Sequence, residues 1–212
     1  RRMNRRHAAL LLAACALAAC GKRKAPAGRP LPGGTAVLAL GDSITHGTGA
    51  AADAAYPAQL AQPTGRNVSN GGVPGDTTAQ ALARLPTLLA EHRPALVLAS
   101  IGGNDFLRRL PEAETEVHLR RIVATVRDAG AQVLLVAVPR PTLAAAVGAG
   151  LRDHPLYEKL ADELALPLHA GGWARVLGDD TLKSDQIHAN AAGYRAFAEG
   201  LVPTLRAVGW LR

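Results

Sequence analysis

From residue 35 onward the chain alternates between two hydrophobic rhythms. Short runs of adjacent apolar residues, such as Val37, Leu38 and Leu40 or the 95–101 stretch ALVLASI, are bounded by glycine, proline or polar clusters. They read as strands buried on both faces. Between them lie longer stretches in which apolar residues recur every three or four positions, the period of a helix with one buried stripe. Strands are expected around 37–40 and at 67–70, 95–101, 132–138 and 167–169. Helices are expected at 56–62, from Thr77 to about 92, and at 112–128, 157–166 and 190–208. Thr77 and Gln80 have capping-box spacing, Leu82, Leu85, Leu88 and Leu89 form a stripe behind them, and Pro86 should kink that helix. In the 112–128 helix Val117, Ile122, Val123 and Val126 are the apolar set, and the acids cluster in the first turn, where the helix dipole favours them. Residues 142–150 are small and aliphatic, without helical punctuation.

Five alternations of strand and helix call for a parallel sheet covered on both faces and joined by right-handed crossovers. The expected fold is therefore a single-domain, three-layer α/β/α sandwich with a five-stranded parallel sheet, of flavodoxin-like type. A chain of 212 residues, 48% of them hydrophobic, suits one core of this kind.

The net charge of +7 does not alter that picture, because of where the charge lies. Arg1, Arg2, Arg5 and Arg6 precede the apolar run 8–19, and Lys22, Arg23, Lys24 and Arg29 follow it; without these eight cations the formal charge falls to −1. No basic groove is implied, and no nucleic-acid partner. The apolar run is too short to span a bilayer but has the length of a signal-peptide core behind a basic leader. Leu17-Ala18-Ala19-Cys20 then resembles a bacterial lipobox, with Cys20 as the acylated residue. The alternatives are an ordinary cleaved signal or an uncleaved anchor. The organisation expected is a signal peptide at 1–19, a lipidated cysteine and flexible tether at 20–34, and the folded domain at 35–212. A lipidated Cys20 would leave no free thiol, hence no disulfide and no thiolate chemistry.

Chemistry enters where strands end. The first strand breaks into Gly41-Asp42-Ser43-Ile44-Thr45, the second into a turn running from Gly71 to Thr78, and the third into Gly102-Gly103-Asn104-Asp105. In a parallel sheet these three turns lie along one edge, where α/β folds place their ligands. The simplest reading of Asp42-Ser43 is a helix cap. A further segment, Ser184-Asp185-Gln186-Ile187-His188, precedes the last helix, and Asp185 and His188 are one helical turn apart. Acyl transfer needs a nucleophile, a base that titrates near neutrality, a group that holds that base in one tautomer, and donors for an oxyanion. Ser43, His188 and Asp185 fill the first three roles; the backbone N–H groups of Ser43 and Gly75 and the side-chain amide of Asn104 fill the fourth. Asp42, Asp76 and Asp105 read as caps and turn formers. His46, His92 and His118 are expected to be exposed and His169 to lie near a strand end. No residues have metal-ligand spacing, so neither metal nor cofactor is expected.

These four blocks resemble the SGNH or GDSL hydrolase family, over essentially all of 35–211. The first is similar to Gly41-Asp42-Ser43-Ile44-Thr45, the second to Gly75-Asp76-Thr77, the third to Gly102-Gly103-Asn104-Asp105 and the last to Asp185-Gln186-Ile187-His188. Within the family the resemblance is to the bacterial group of thioesterases, arylesterases and lysophospholipases. Ala189 stands where many members have proline, which bears on the rigidity of that turn. The resemblance implies an ester hydrolase working through an acyl-serine on lysophospholipids, short to medium acyl or aryl esters, or thioesters. Ile44, Leu107 and Leu143 would form the acyl-binding wall. Two other readings are a carbohydrate O-deacetylase of the same fold, disfavoured by only 3% aromatic residues, and a non-catalytic lipid-anchored binding module. The expected setting is the bacterial cell envelope, facing the periplasm, on the outer rather than the inner membrane through the lipid on Cys20, and as a monomer.

Overall fold

The computed structural model describes residues 28–140 and 150–211. The expected signal peptide, Cys20 and Leu143 lie outside the described residues. Five parallel strands form one sheet in the order β2-β1-β3-β4-β5. They are β1 (Ala36–Gly41), β2 (Asn67–Gly72), β3 (Leu96–Ser100), β4 (Gln132–Val136) and β5 (Leu168–His169). The registers Leu38↔Ser69, Leu38↔Val97 and Val97↔Val133 place β1 and β3 in the middle. Every residue of β3 and all but the first of β1 are buried, as their apolar runs require, whereas the edge strand β2 carries the polar sequence NVSNGG.

The helices are α1 (Ser43–His46), α2 (Tyr56–Thr64), α3 (Thr78–His92), α4 (Gly103–Leu107), α5 (Glu112–Asp128), α6 (Pro155–Glu163), α7 (Gly172–Leu177) and α8 (Ala191–Ala207). The capping box of α3 forms as expected: Gln80 N donates to Thr77 Oγ1, and Thr77 N donates to Gln80 Oε1 at 2.9 Å. Helix α3 continues through Pro86, with Ala81, Leu85 and Leu89 buried and Leu82 and Leu88 half-buried. Helix α5 buries Leu119, Ile122, Val123 and Val126, but Val117 faces out. Val117 lies two residues from the buried Thr115 and Leu119 alike, about 200° around the helix from each, and so falls on the outer face.

Two elements differ from the sequence pattern. Helix α7 follows Gly171 and is flanked by glycines, which hides a six-residue element whose Trp173 is fully buried. That indole stacks on Phe197 (ring centroids 3.6 Å apart, planes 9° apart), and its N–H donates to Ser100 Oγ at 2.9 Å. It thereby locks α8 to the end of β3. The other difference is the tether. Residues 28–34 are held against the domain: Gly28 N donates to Val208 O (2.8 Å), Arg29 N to Gln132 Oε1 (2.6 Å), and Leu31 is buried in the core. An apolar side chain that finds a groove and backbone groups that find partners outweigh the flexibility suggested by the prolines. A free tether therefore does not extend through 28–34.

Candidate active site

The strand order reverses between β1 and β3, since the chain passes from β1 outward to β2 and then returns to the far side of β1. Helices leaving β1 and β3 diverge there and open a crevice above the strand ends. Gly41 makes the exit from β1 possible: a Cβ at this position would lie 2.0 Å from Thr45 Oγ1 and 2.5 Å from the carbonyl of Ser100. The chain therefore turns at once into α1, with Asp42 as its cap and Ser43 as its first residue.

Ser43 Oγ lies 3.0 Å from His188 Nε2, and His188 Nδ1 lies 2.7 Å from Asp185 Oδ2. The other carboxylate oxygen, Oδ1, accepts from the backbone amides of Ile187 and His188, both at 2.8 Å. Burial opposes the charge on Asp185, but the bonds from His188 and the two amides outweigh it and hold the carboxyl below its ordinary range. A carboxylate at Nδ1 leaves Nε2 as the acceptor facing the serine hydroxyl, the tautomer a general base needs. The turn is rigid despite Ala189. Ser184 N donates to His188 O at 3.0 Å, Ser184 Oγ reaches Ala189 O at 3.2 Å, and Lys183 pairs with Ala189. Backbone and serine bonds supply here what a proline ring would supply by fixing φ.

On the other side of Ser43, a closed circuit of hydrogen bonds ties the three strand-end turns together. Arg84 Nη2 donates to Gly41 O (2.8 Å) and Arg84 Nε to Asp76 Oδ2 (2.6 Å). The Asn104 amide donates to Asp76 O (3.0 Å) and to Asp42 Oδ2 (3.3 Å). Asp42 Oδ1 accepts from Ile44 N. Gly75, with φ +83°, sits in the turn so held, and Arg108 Nη2 donates to its carbonyl at 2.8 Å. Among the described residues, the N–H groups of Ser43 and Gly75 donate to no protein acceptor. With the Asn104 amide beside them, they are free donors for an anion that develops at Ser43. Behind this layer Asp105 is buried and accepts from Thr78 N (2.9 Å), Thr78 Oγ1 (2.5 Å) and Thr115 Oγ1 (3.3 Å).

Ser43, Ile44, Asn104 and Leu107 line a cleft of about 560 Å³ together with Leu151 and Ile187. All the site residues expected from sequence that lie among the described residues thus meet at one edge. His46 is exposed at the end of α1, and His169 is buried at the end of β5. His92 and His118 are half-buried instead of exposed, and His118 Nδ1 lies 3.2 Å from Thr78 Oγ1. Arg84 was not singled out by sequence. Its spacing of eight from Asp76 spans the start of a helix, and no local pattern marks a side chain that reaches back to the end of β1. Among the described residues, no group of three or more His, Cys, Asp or Glu side chains is placed to hold a metal ion.

A serine, a histidine and a carboxylate in line, beside free N–H donors at the switch point of a parallel sheet, form the arrangement that acyl transfer by a serine hydrolase needs. Comparison with known proteins gives the family. The GDSL-like lipase/acylhydrolase family matches residues 39–196, and the chain belongs to it. The thioesterase 1/protease 1/lysophospholipase L1 of Escherichia coli K12 is 36% identical over 175 residues, which cover 80% of this chain and 83% of that protein. The esterase TesA of Pseudomonas aeruginosa is 31% identical over 182 residues, covering 80% and 87%. A crystal structure of TesA superposes with a TM-score of 0.72 at 30% identity and covers 82% of this chain but 99% of its own. The chain is an esterase of this family.

Asp42 is 3% exposed, and burial pushes its carboxyl up to about 7 against the opposing pull of the Ile44 N–H and of His188. A buried carboxyl with a raised value favours the fold most at low pH. Above about pH 4 the unfolded chain loses this proton while the folded chain keeps it, and the advantage is gone once pH passes 7. Asp42→Asn has no such titration. Between pH 5 and pH 7 the wild type should lose about 2–3 kcal/mol relative to the variant. Denaturant unfolding of both proteins at the two pH values measures this, and a constant difference would show that Asp42 is ionised throughout.

Proposed function

We propose that Ser43 is the nucleophile of an ester hydrolase that works through an acyl-serine. The observation that carries this reading is the unbroken line from Ser43 Oγ through His188 to Asp185, at 3.0 and 2.7 Å, opposite two free backbone N–H groups. His188 Nε2 takes the hydroxyl proton as Ser43 Oγ attacks the acyl carbonyl. The carbonyl oxygen becomes an oxyanion among Ser43 N–H, Gly75 N–H and the Asn104 amide. His188 returns the proton to the leaving alcohol as the tetrahedral intermediate collapses. Water, deprotonated by the same imidazole, then releases the acid and restores Ser43. Asp185 holds the tautomer and stabilises the imidazolium formed in each half. The Asn104 amide gives up its longer bond, the 3.3 Å contact to Asp42, to meet the oxyanion.

The substrates we propose are lysophospholipids and short to medium acyl or aryl esters, with thioesters as a second class. The support is the cleft, whose volume suits an acyl chain and whose wall includes Ile44, Leu107, Leu151 and Ile187. Leu143 is proposed to extend that wall. The setting we propose is the bacterial envelope, with the chain cut before Cys20 and attached to the membrane by lipid on that residue. The lipobox-like Leu17-Ala18-Ala19-Cys20 and the basic segment after it support this. No described helix is long and apolar enough to cross a membrane.

Hydrolysis of p-nitrophenyl esters from acetyl to palmitoyl tests the chemistry. Ser43→Ala should abolish turnover, and Asn104→Ala should lower kcat on the order of a hundredfold or more. Full activity in Ser43→Ala would sink the mechanism, and a sharp acetyl optimum would favour the carbohydrate deacetylase over the lipid substrate. For the anchor, cells expressing the full chain are fed an alkyne fatty acid. Label on the wild type that is lost in Cys20→Ala is expected, and an unlabelled mature wild type rules the anchor out.

A further inference from the structure

The large apolar side chains exposed among the described residues are Val73, Leu107, Leu110, Val117 and Ile187. Two of the five line the cleft, and two more lie on turns tied to its wall. Leu107 and Ile187 both line it, Leu110 ends the same turn as Leu107, and Val73 lies in the turn that Arg108 grips through Gly75. Between the two leucines stand Arg108 and Arg109, both exposed. Among the described residues neither guanidinium forms an ion pair. The acids that follow, Glu112 and Glu114, occupy the first turn of α5, where the helix dipole holds them, and Glu112 lies 3.7 Å from His154.

The corner is built rather than loose. Arg109 has φ +56°, the left-handed region in which glycine would be the ordinary choice. Arg109 N donates to Phe106 O (3.1 Å) and Leu110 N to Asp105 O (2.9 Å). Phe106 is stacked flat on the His154 ring at 4.0 Å, and Asp105 is anchored by Thr78. A long cation in place of glycine, on a fixed turn, with a leucine on either side of the arginine pair, matches one kind of surface. Leucines partition into the boundary between headgroups and acyl chains, and guanidinium groups bind lipid phosphates.

We propose that the Leu107–Leu110 corner is a docking contact for an anionic phospholipid surface, which brings the mouth of the cleft to the membrane. The proposal rests on the acyl-ester reading of the cleft, but the contact can be measured without it. It is also separate from any lipid on Cys20: Gly28 meets the domain beside Val208, at the opposite end of the sheet.

The test uses residues 28–212, which hold the whole family match at 39–196 and the segment 28–34 packed against it. Binding is read by co-sedimentation with vesicles of phosphatidylglycerol and phosphatidylethanolamine, and with phosphatidylcholine vesicles as reference. Wild type should bind the anionic vesicles, more weakly as salt rises. Arg109→Glu and Leu110→Ser should each weaken that binding roughly tenfold or more while hydrolysis of a soluble p-nitrophenyl ester is unchanged, since neither side chain lines the cleft. No binding by wild type, equal binding to phosphatidylcholine, or retention by either variant overturns the proposal. Unchanged soluble turnover alongside such a result would leave the esterase reading standing, whereas loss of soluble turnover in wild type would count against that reading alone.

Discussion

A parallel sheet delivers all its strand ends to one edge, and here that geometry is sharpened by β1, which is paired on both sides and buried from Val37 to Gly41. A strand with no free edge and no polar face must put its first polar residues at its end, and at Gly41 the chain has room to turn within one residue. Asp42 and Ser43 are consequently set at the switch point, with β2 and β3 delivering their own turns to either side. The position of the last helix follows from the same packing. Trp173 and Phe197 stack behind β3, so that Asn190, the cap of α8, and the His188 turn before it come to rest above Ser43.

The catalytic edge carries an electrostatic cost that the surrounding bonds partly offset. Asp42 is buried beside an amide and a backbone N–H, and its carboxyl is pushed toward neutrality by burial. An apolar residue there would remove that penalty, but it would leave α1 without its cap and the Asn104 amide without one acceptor. The salt bridge between Arg84 and Asp76, with side-chain exposures of 23% and 9%, works in the same place. Such a half-buried pair contributes modest stability. Its larger effect is geometric, because the same guanidinium holds the carbonyl of Gly41 and so fixes the distance between the serine turn and the glycine turn.

Much of this is legible in the sequence. Strands such as 95–101 have too many adjacent apolar residues to be anything but doubly buried. The pairing of Thr77 with Gln80 and of Asp185 with His188 depends only on local spacing. Convergence of Ser43, Gly75 and Asn104 follows from topology, since each ends a parallel strand. What could not be read was non-local. Helix α7 is short and bracketed by glycines, and its identity comes from the aromatic partners of Trp173. The ordering of residues 28–34 depends on a groove beside Trp210 that no local composition announces. Arg84 reaches its partners across an element boundary, His118 is drawn in by Thr78, and the firmness of the Ala189 turn comes from Ser184, five residues before it. In each case the deciding partner lies elsewhere in the chain or outside the pattern being counted.

The proposed chemistry turns on Ser43 Oγ as the atom that becomes acylated. Reaction with a fluorophosphonate, followed by proteolysis and mass analysis, asks this directly, because the probe forms a stable adduct only with a hydroxyl activated by a base and faced by oxyanion donors. One adduct per chain, located on Ser43 and formed in step with loss of esterase activity, is the predicted result. An active enzyme that takes no label, or that carries it on another residue while Ser43 remains free, would contradict the account.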